Sequence, residues 1–295
     1  MSPIPSECDH INGTRFSVCF SQSCPFRQMP CCAAIIKTAM PDLPEPAASP
    51  SALNSIHLLG MRVDRVTMDG ALALVEQFIA SRTPHHIVTA DASMVVTYTE
   101  DPTFAAIVDK ADLVTPDGAG ILWATRRMGT PVSSKVSGVD LAARCCEQSA
   151  TKKWRIFFFG AAPGVAEEAA ARMRARFPGC EIVGTRDGFF KPDDEAQVVE
   201  QIRAARPDIL LVALGIPKQE KFIDRNKAAL GVPVCIGVGG TLDVFSGTVK
   251  RAPVWMQNMG LEWLHRLAAN PKKISKVALL PRFALMTLRA PKTTP

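Results

Sequence analysis

Two carboxylates and a series of glycine-bearing loops stand where apolar runs of the chain end. Asp91 closes Val88-Thr89-Ala90-Asp91, and Asp117 follows Pro116 in Thr115-Pro116-Asp117-Gly118-Ala119-Gly120. A carboxylate at the mouth of an apolar sheet is partly desolvated, which lifts its pKa toward neutrality and suits it to general-base work. An Asp before a helix more commonly caps it, and position alone favours that fate for Asp117. After Arg155–Phe159 comes Gly160-Ala161-Ala162-Pro163-Gly164, opening a helix whose free N–H groups and positive dipole end suit a phosphate. Gly239-Gly240-Thr241 follows Val234–Val238 and leads to Asp243, while Gly188 and Gly215 close two further runs. A single glycine turn is more often structural than functional, but several at successive run ends point to a nucleotide or sugar-nucleotide cleft. Gln219 and Glu220, just after Pro217, form a first-turn pattern that the helix dipole favours. Neither GxGxxG nor GxxxxGK[ST] occurs, which removes the dinucleotide and P-loop readings.

The elements that must position these residues follow from hydrophobic patterning. Short runs rich in Val, Ile and Phe predict strands at His86–Ala90, Asp112–Thr115, Arg155–Phe159, Glu181–Gly184, Asp208–Leu214 and Val234–Val238. Helical spacing predicts helices at Asp69–Ser81, Ser93–Lys110, Ala119–Met128, Val139–Ala150, Gly164–Phe177, Asp193–Ala205 and Gln219–Ala229. Strands apolar on both faces and separated by amphipathic helices argue for an α/β fold with a buried, mostly parallel, Rossmann-like sheet. In such sheets ligands bind beyond the carboxyl ends of the strands.

The 295 residues carry 34 Lys+Arg against 28 Asp+Glu and are 47% hydrophobic, which suits a globular protein with a sizeable core. No apolar stretch of about 18 residues is present to span a bilayer. The net charge of +6 is concentrated: Trp263–Pro295 holds seven basic residues and no acid, so the rest of the chain is nearly neutral. Five of the nine cysteines fall within the first 32 residues, and Pro41–Ser51 reads as a linker of proline and small residues. Residues 1–52 are therefore expected to form a disordered leader, 53–262 the folded domain, and 263–295 a basic, partly apolar appendage.

Seven strings then occur in order: Thr115–Gly120, Val136-Ser137-Gly138-Val139-Asp140, Gly184-Thr185-Arg186-Asp187-Gly188, Leu214-Gly215-Ile216-Pro217-Lys218-Gln219-Glu220, Gly237–Asp243, Lys250-Arg251-Ala252-Pro253 and Gly260–Leu267. Together they resemble the WecG/TagA/CpsF family of bacterial glycosyltransferases, over about Leu59 to Lys276. The resemblance implies inverting transfer of an N-acetylmannosamine-type sugar or a hexose from a UDP donor to a polyprenyl-diphosphate-linked saccharide, in cell-surface polysaccharide synthesis. It implies that Asp117 takes the acceptor's proton, above its reading as a cap, and that Thr89 lies at the same pocket. Gln219 looks like a sugar or diphosphate contact, and Arg266 matches a basic residue that brings charge to the diphosphate. Asp91 stands where the family usually has Asn, and Lys135 where Arg is usual, which exchanges a bidentate grip for a point charge.

The basic tail, with Val277–Leu280 and Phe283–Met286 flanking Pro281-Arg282, suits an anionic bilayer interface, and the lipid acceptor that the resemblance implies favours this reading, with the enzyme cytoplasmic and peripheral on the inner face of the bacterial plasma membrane. The alternative is a helix packed on the body or on another protomer, and Pro281 is expected to break any long helix. A nucleic-acid partner is disfavoured by the neutral body and by only 6% aromatic content. No paired-carboxylate metal motif is evident, since Asp193-Asp194 beside Pro192 reads as a cap, so no metal or other cofactor is expected. A second reading, a catalytically impaired sugar-nucleotide-binding scaffold, rests on Asp91 and Lys135. A homo-oligomer is left open.

Overall fold

The structure, a computed structural model, describes residues 53–253, 256 and 278–291. It opens on an antiparallel hairpin, β1 (Ser55–Leu58) and β2 (Met61–Asp64). Leu59 and Gly60 turn it with φ of 52° and 93°, the left-handed pair that matches strand twist in a two-residue loop. Six strands follow: β3 (His85–Ala90), β4 (Leu113–Pro116), β5 (Arg155–Gly160), β6 (Glu181–Arg186), β7 (Ile209–Ala213) and β8 (Val234–Gly237). They form one parallel sheet in the order β4-β3-β8-β7-β5-β6. The Rossmann-like α/β architecture expected from the sequence is thus present.

The helices are α1 (Met68–Ser81), α2 (Ala92–Glu100), α3 (Pro102–Asp109), α4 (Ala119–Arg127), α5 (Gly138–Lys152), α6 (Val165–Arg176), α7 (Glu195–Ala204), α8 (Lys218–Leu230), α9 (Thr241–Phe245) and α10 (Leu279–Arg289). Alternation along the strands divides the core. Ile87, Leu113, Phe158, Leu211 and Ile236 pack with α1, α5, α6 and α9 on one face. On the other, Val88 and Val114 join the hairpin, α2, α3 and α4, while Phe157, Phe159, Leu210 and Val212 meet α7 and α8. Each fully buried Phe contributes about 1.5–3 kcal/mol relative to exposure.

Two helical expectations are corrected. Ser93–Lys110 is two helices, because Pro102 lacks an N–H and restricts the residue before it. Asp101 ends α2 and caps α3, accepting from Phe104 N–H at 3.0 Å. Pro281 does not break α10 but lies in its first turn, where the missing N–H is unneeded. Asp194 stands at the N-cap of α7 without a side-chain bond to it. The hairpin and α9 were not expected from the sequence. The leader, residues 1–52, and most of the appendage lie outside the described residues, and no described helix is long and apolar enough to cross a membrane.

At the amino ends of the strands, carboxylates take the first N–H groups. Asp64 Oδ2 accepts from Val114 at 2.7 Å, Asp112 Oδ2 from His86 at 2.8 Å, and Asp208 Oδ2 from Arg155 at 2.9 Å. Arg62, Lys227 and Arg82 balance their charges. Burial pushes the Asp112 carboxyl upward, but bonds from His86 and His85 and the charge of Lys227 outweigh it and hold it below the usual range.

His86 itself is buried at the start of β3. Burial first, and Lys227 second, pull its pKa down to about 3 against the opposing charge of Asp112. Unfolded, the ring takes up its proton near pH 6.5. Stability is therefore full above that value and declines as pH falls toward 3, by at most about 1.4 kcal/mol per pH unit from this group. Urea midpoints measured between pH 7.5 and 4.5 should fall with pH, and His86→Leu should flatten the decline.

Candidate active site

The connection after β3 packs on one face of the sheet and that after β8 on the other, which opens a crevice between them at the carboxyl edge. Thr89 stands there, buried, and its hydroxyl donates to the Gly237 carbonyl at 2.7 Å, stitching β3 to β8. One strand over, Asp117 is half-buried. Its N–H donates to Ala90 O at 2.8 Å, and its Oδ2 accepts from Gly138 N–H at 3.0 Å.

Asp117 does not cap α4. That position belongs to Gly118, whose φ of 90° makes the turn and which has no side chain to bond. The carboxylate reaches instead to the first residue of α5, where unpaired N–H groups and the dipole favour negative charge. The intervening loop is held by Val136 N–H on Pro116 O at 2.9 Å and by the Thr115 hydroxyl on Val136 O at 3.1 Å. Gly138 seats directly on Thr89: a Cβ there would lie 3.1 Å from Thr89 Oγ1.

The same loop brings half-buried Lys135 to the head of α5. Ser137 caps this helix and donates to Asp140 Oδ2 at 2.7 Å. Asp140 receives both arms of Arg251, at 2.6 and 2.8 Å, the fork geometry that makes such pairs strong. Burial raises the Asp140 pKa, but Arg251, Ser137 and the charge of Lys135 together hold it low. Beside this pair lies a cavity of about 250 Å³ with Asp140, Arg172, Arg176 and Arg251 over an apolar floor of Met173 and Phe245. Arg172 and Arg176 carry no motif in the sequence; they are helix-face residues that only the packing of α6 brings there.

Gln219 and Glu220 are both buried in the first turn of α8. Gln219 Oε1 accepts from Gly215 N–H at 3.1 Å and Gly239 N–H at 3.0 Å, and its amide nitrogen donates to Glu220 Oε1 at 2.7 Å. One side chain thus braces the loops leaving β7 and β8. Gly237 makes room for it, since a Cβ there would come 2.7 Å from Gln219 Nε2. Gly239 has a φ of 56°, Gly240 occupies the N-cap of α9, and Asp243 lies within that helix.

Gly160 and Gly188 belong to a second cluster. A Cβ on Gly160 would lie 2.5 Å from Ala213 backbone, and one on Gly188 2.7 Å from Leu214 Cδ2. These glycines let the β5, β6 and β7 exits approach one another. Next to them Phe189, 69% exposed, presents a ring at the carboxyl edge, a residue that sequence reasoning passed over because a lone Phe carries no motif. Asp91 is engaged with the helix that follows it: its Oδ1 caps α2, accepting from Met94 N–H at 2.8 Å and the Ser93 hydroxyl at 2.6 Å. Arg266 lies outside the described residues.

The build is that of a doubly wound α/β enzyme with its chemistry at the carboxyl edge of the sheet. The chain belongs to the Glycosyl transferase WecG/TagA/CpsF family, whose profile matches residues 56–295, and it is a glycosyltransferase. It is 37% identical to an N-acetylglucosaminyldiphosphoundecaprenol N-acetyl-beta-D-mannosaminyltransferase of Bacillus spizizenii over 69% of this chain and 78% of the relative. Proteins of the same name from Bacillus subtilis and Staphylococcus aureus are 34% and 28% identical, over 73% and 80% of this chain and 86% and 92% of theirs.

Removing the brace tests its role. Gln219→Ala should cost about 1–3 kcal/mol for each backbone donor left without an acceptor, read as a lower urea midpoint, and should weaken donor binding in a nucleotide titration.

Proposed function

We propose that this enzyme transfers an N-acetylmannosamine-type sugar or a hexose from a UDP donor to a polyprenyl-diphosphate-linked saccharide, with inversion, at the inner face of the bacterial plasma membrane. The names of its relatives support the acceptor class. The observation that carries the chemistry is Asp117, half-buried at the crevice and oriented by Gly138 N–H at 3.0 Å.

In this reading the acceptor hydroxyl oxygen attacks the anomeric carbon on the face opposite the UDP. As that bond forms, the bond from carbon to the diphosphate oxygen breaks, and the hydroxyl proton passes to Asp117. Lys135 and Arg266 meet the departing charge, so no metal is required. Gln219 holds the Gly215 and Gly239 backbones at the donor's edge of the crevice, and Phe189 offers its ring to the base. The capping bonds on Asp91 Oδ1 keep that carboxylate engaged with α2, which supports its tolerance beside a diphosphate.

The second reading, a sugar-nucleotide-binding scaffold, draws on Lys135 and Asp91 and separates cleanly from the first. UDP release is measured with a panel of UDP-hexoses and UDP-N-acetylhexosamines and a short-chain prenyl-diphosphate saccharide. The transferase reading expects acceptor-dependent release from one donor, unchanged by EDTA and reduced about 10²–10⁴-fold in Asp117→Asn with UDP affinity retained. UDP binding without release from any donor would favour the scaffold.

Membrane association is supported by α10. Phe283 is its buried anchor, set edge-on to Trp123 at 6.3 Å, and Arg282 pairs with Glu100. Leu285 and Leu288, together with Trp123, remain exposed, near Arg126, Arg127 and Arg289. Sedimentation with phosphatidylglycerol vesicles should exceed that with phosphatidylcholine and fall with salt, since each basic residue near the surface adds about 1 kcal/mol. Leu285→Ser with Leu288→Ser should reduce it without altering the melting temperature.

A further inference from the structure

Away from the crevice, the fold brings two cysteines together. Cys146 is fully buried on α5, and Ser149 and Ala150 continue the same helical face one turn on. The segment leading into β6 lies across this face. Glu181 N–H donates to Ser149 Oγ at 2.9 Å, and the Cβ position of Gly179 is 3.6 Å from Ala150 O. Cys180, between those two contacts, is 7% exposed and belongs to the same buried cluster as Cys146. The Ser149 hydroxyl donates in turn to Trp154 O at 2.7 Å, which fixes this face of α5 against the segment. Pro178 and Gly179, immediately before Cys180, are exposed.

We propose that Cys146 and Cys180 are an oxidisable dithiol that closes into a reversible intramolecular disulfide between α5 and β6, separate from sugar transfer. The attacking species in such chemistry is a thiolate. The neighbouring Cys146 thiol lowers the Cys180 thiol to about 7 against burial that raises it, with help from Ser149 and Arg174. The other two described cysteines contrast with it: burial pushes Cys145 and Cys235 up to about 12.

With hydrogen peroxide as oxidant, the Cys180 sulfur attacks one peroxide oxygen and the O–O bond breaks. Water leaves, and Cys180 becomes a sulfenic acid. The Cys146 sulfur then attacks the Cys180 sulfur; the S–S bond forms, the S–O bond breaks, and that oxygen departs as a second water carrying the Cys146 proton. Two thiols give up two electrons and two protons, and one peroxide becomes two waters. The cross-link fastens α5 eight residues beyond Gly138, about 12 Å along the helix axis, so the modification is read directly rather than through activity.

The full chain, reduced and then freed of thiol, is treated with a small excess of hydrogen peroxide, alkylated, digested without reductant and mapped by mass spectrometry. The expected product is a peptide pair in which fragment ions place the link on Cys146 rather than Cys145, joined to Cys180 and dissolved by dithiothreitol. In Cys146→Ser, Cys180 should stall as a sulfenic acid that dimedone traps. Cys180 recovered unlinked while cysteines of the first 32 residues oxidise, or linked to one of those instead of Cys146, would overturn the proposal. Because the unaltered chain supplies the principal result, a folding defect in the variant does not blunt the test.

Discussion

The bond from Gly138 N–H to the Asp117 carboxylate joins the end of β4 to the beginning of α5, across the intervening α4 and its loop, and the candidate site is assembled around it. A β4 exit that ended in an ordinary cap would leave Asp117 serving α4. Here Gly118 takes the cap position with a left-handed turn and frees the carboxylate for α5. Pro116 O and Thr115 Oγ1 then pin Val136, so the loop cannot carry Gly138 away. The N–H of Gly138 at the head of α5 orients the carboxylate, in the region of a helix where the dipole favours negative charge.

The second constraint is crowding at the carboxyl edge. Gly160, Gly188 and Gly237 each stand where a Cβ would come within 3.0 Å of a neighbour, closer than packed atoms tolerate. The exits of β5, β6, β7 and β8 are therefore compacted by the absence of side chains, and Gln219 supplies the polar bond that backbone so arranged requires. Gln219, which reads in the sequence as a ligand contact, is in the structure the brace of the loops around it. Its buried neighbour Glu220 shares in that bracing through Oε1.

The sheet was legible because its strands are buried on both faces and so appear as continuous apolar runs of the right length, as in Arg155-Ile156-Phe157-Phe158-Phe159. The hairpin was not, because Ser55–Leu58 and Met61–Asp64 are four residues each, too short for alternation to stand out. The break at Asp101-Pro102 was visible as a proline yet overridden by the helical spacing on either side. Among site residues, those at strand exits were legible from topology and glycine content alone. The orientation of Asp117 was not, since the choice between capping α4 and facing α5 depends on where the chain returns after α4, some twenty residues on, and that is decided by tertiary packing. Arg172, Arg176 and Phe189 left no signal, because a helix-face arginine or a single aromatic reads the same whether it faces solvent or a cavity.

The packing of α10 joins the surface proposed to meet lipid to the element that follows the proposed catalytic carboxylate. Phe283 is buried against α4, and its ring lies 3.6 Å from where a Cβ on Gly120 would be. Gly120 is three residues after Asp117, and a larger residue there would push α10 outward or tilt α4. The Arg127 guanidinium reaches toward Leu288 O at the far end of the same contact, and the Thr287 hydroxyl turns inward to Phe283 O at 2.9 Å. The outer leucines of α10 therefore sit on a helix fixed to the body by its inner face. On the proposed membrane reading, an enzyme whose acceptor is anchored in a bilayer must present its crevice to that bilayer at a defined height, and an amphipathic helix seated by its inner face would provide this where a flexible polybasic tail would supply only affinity.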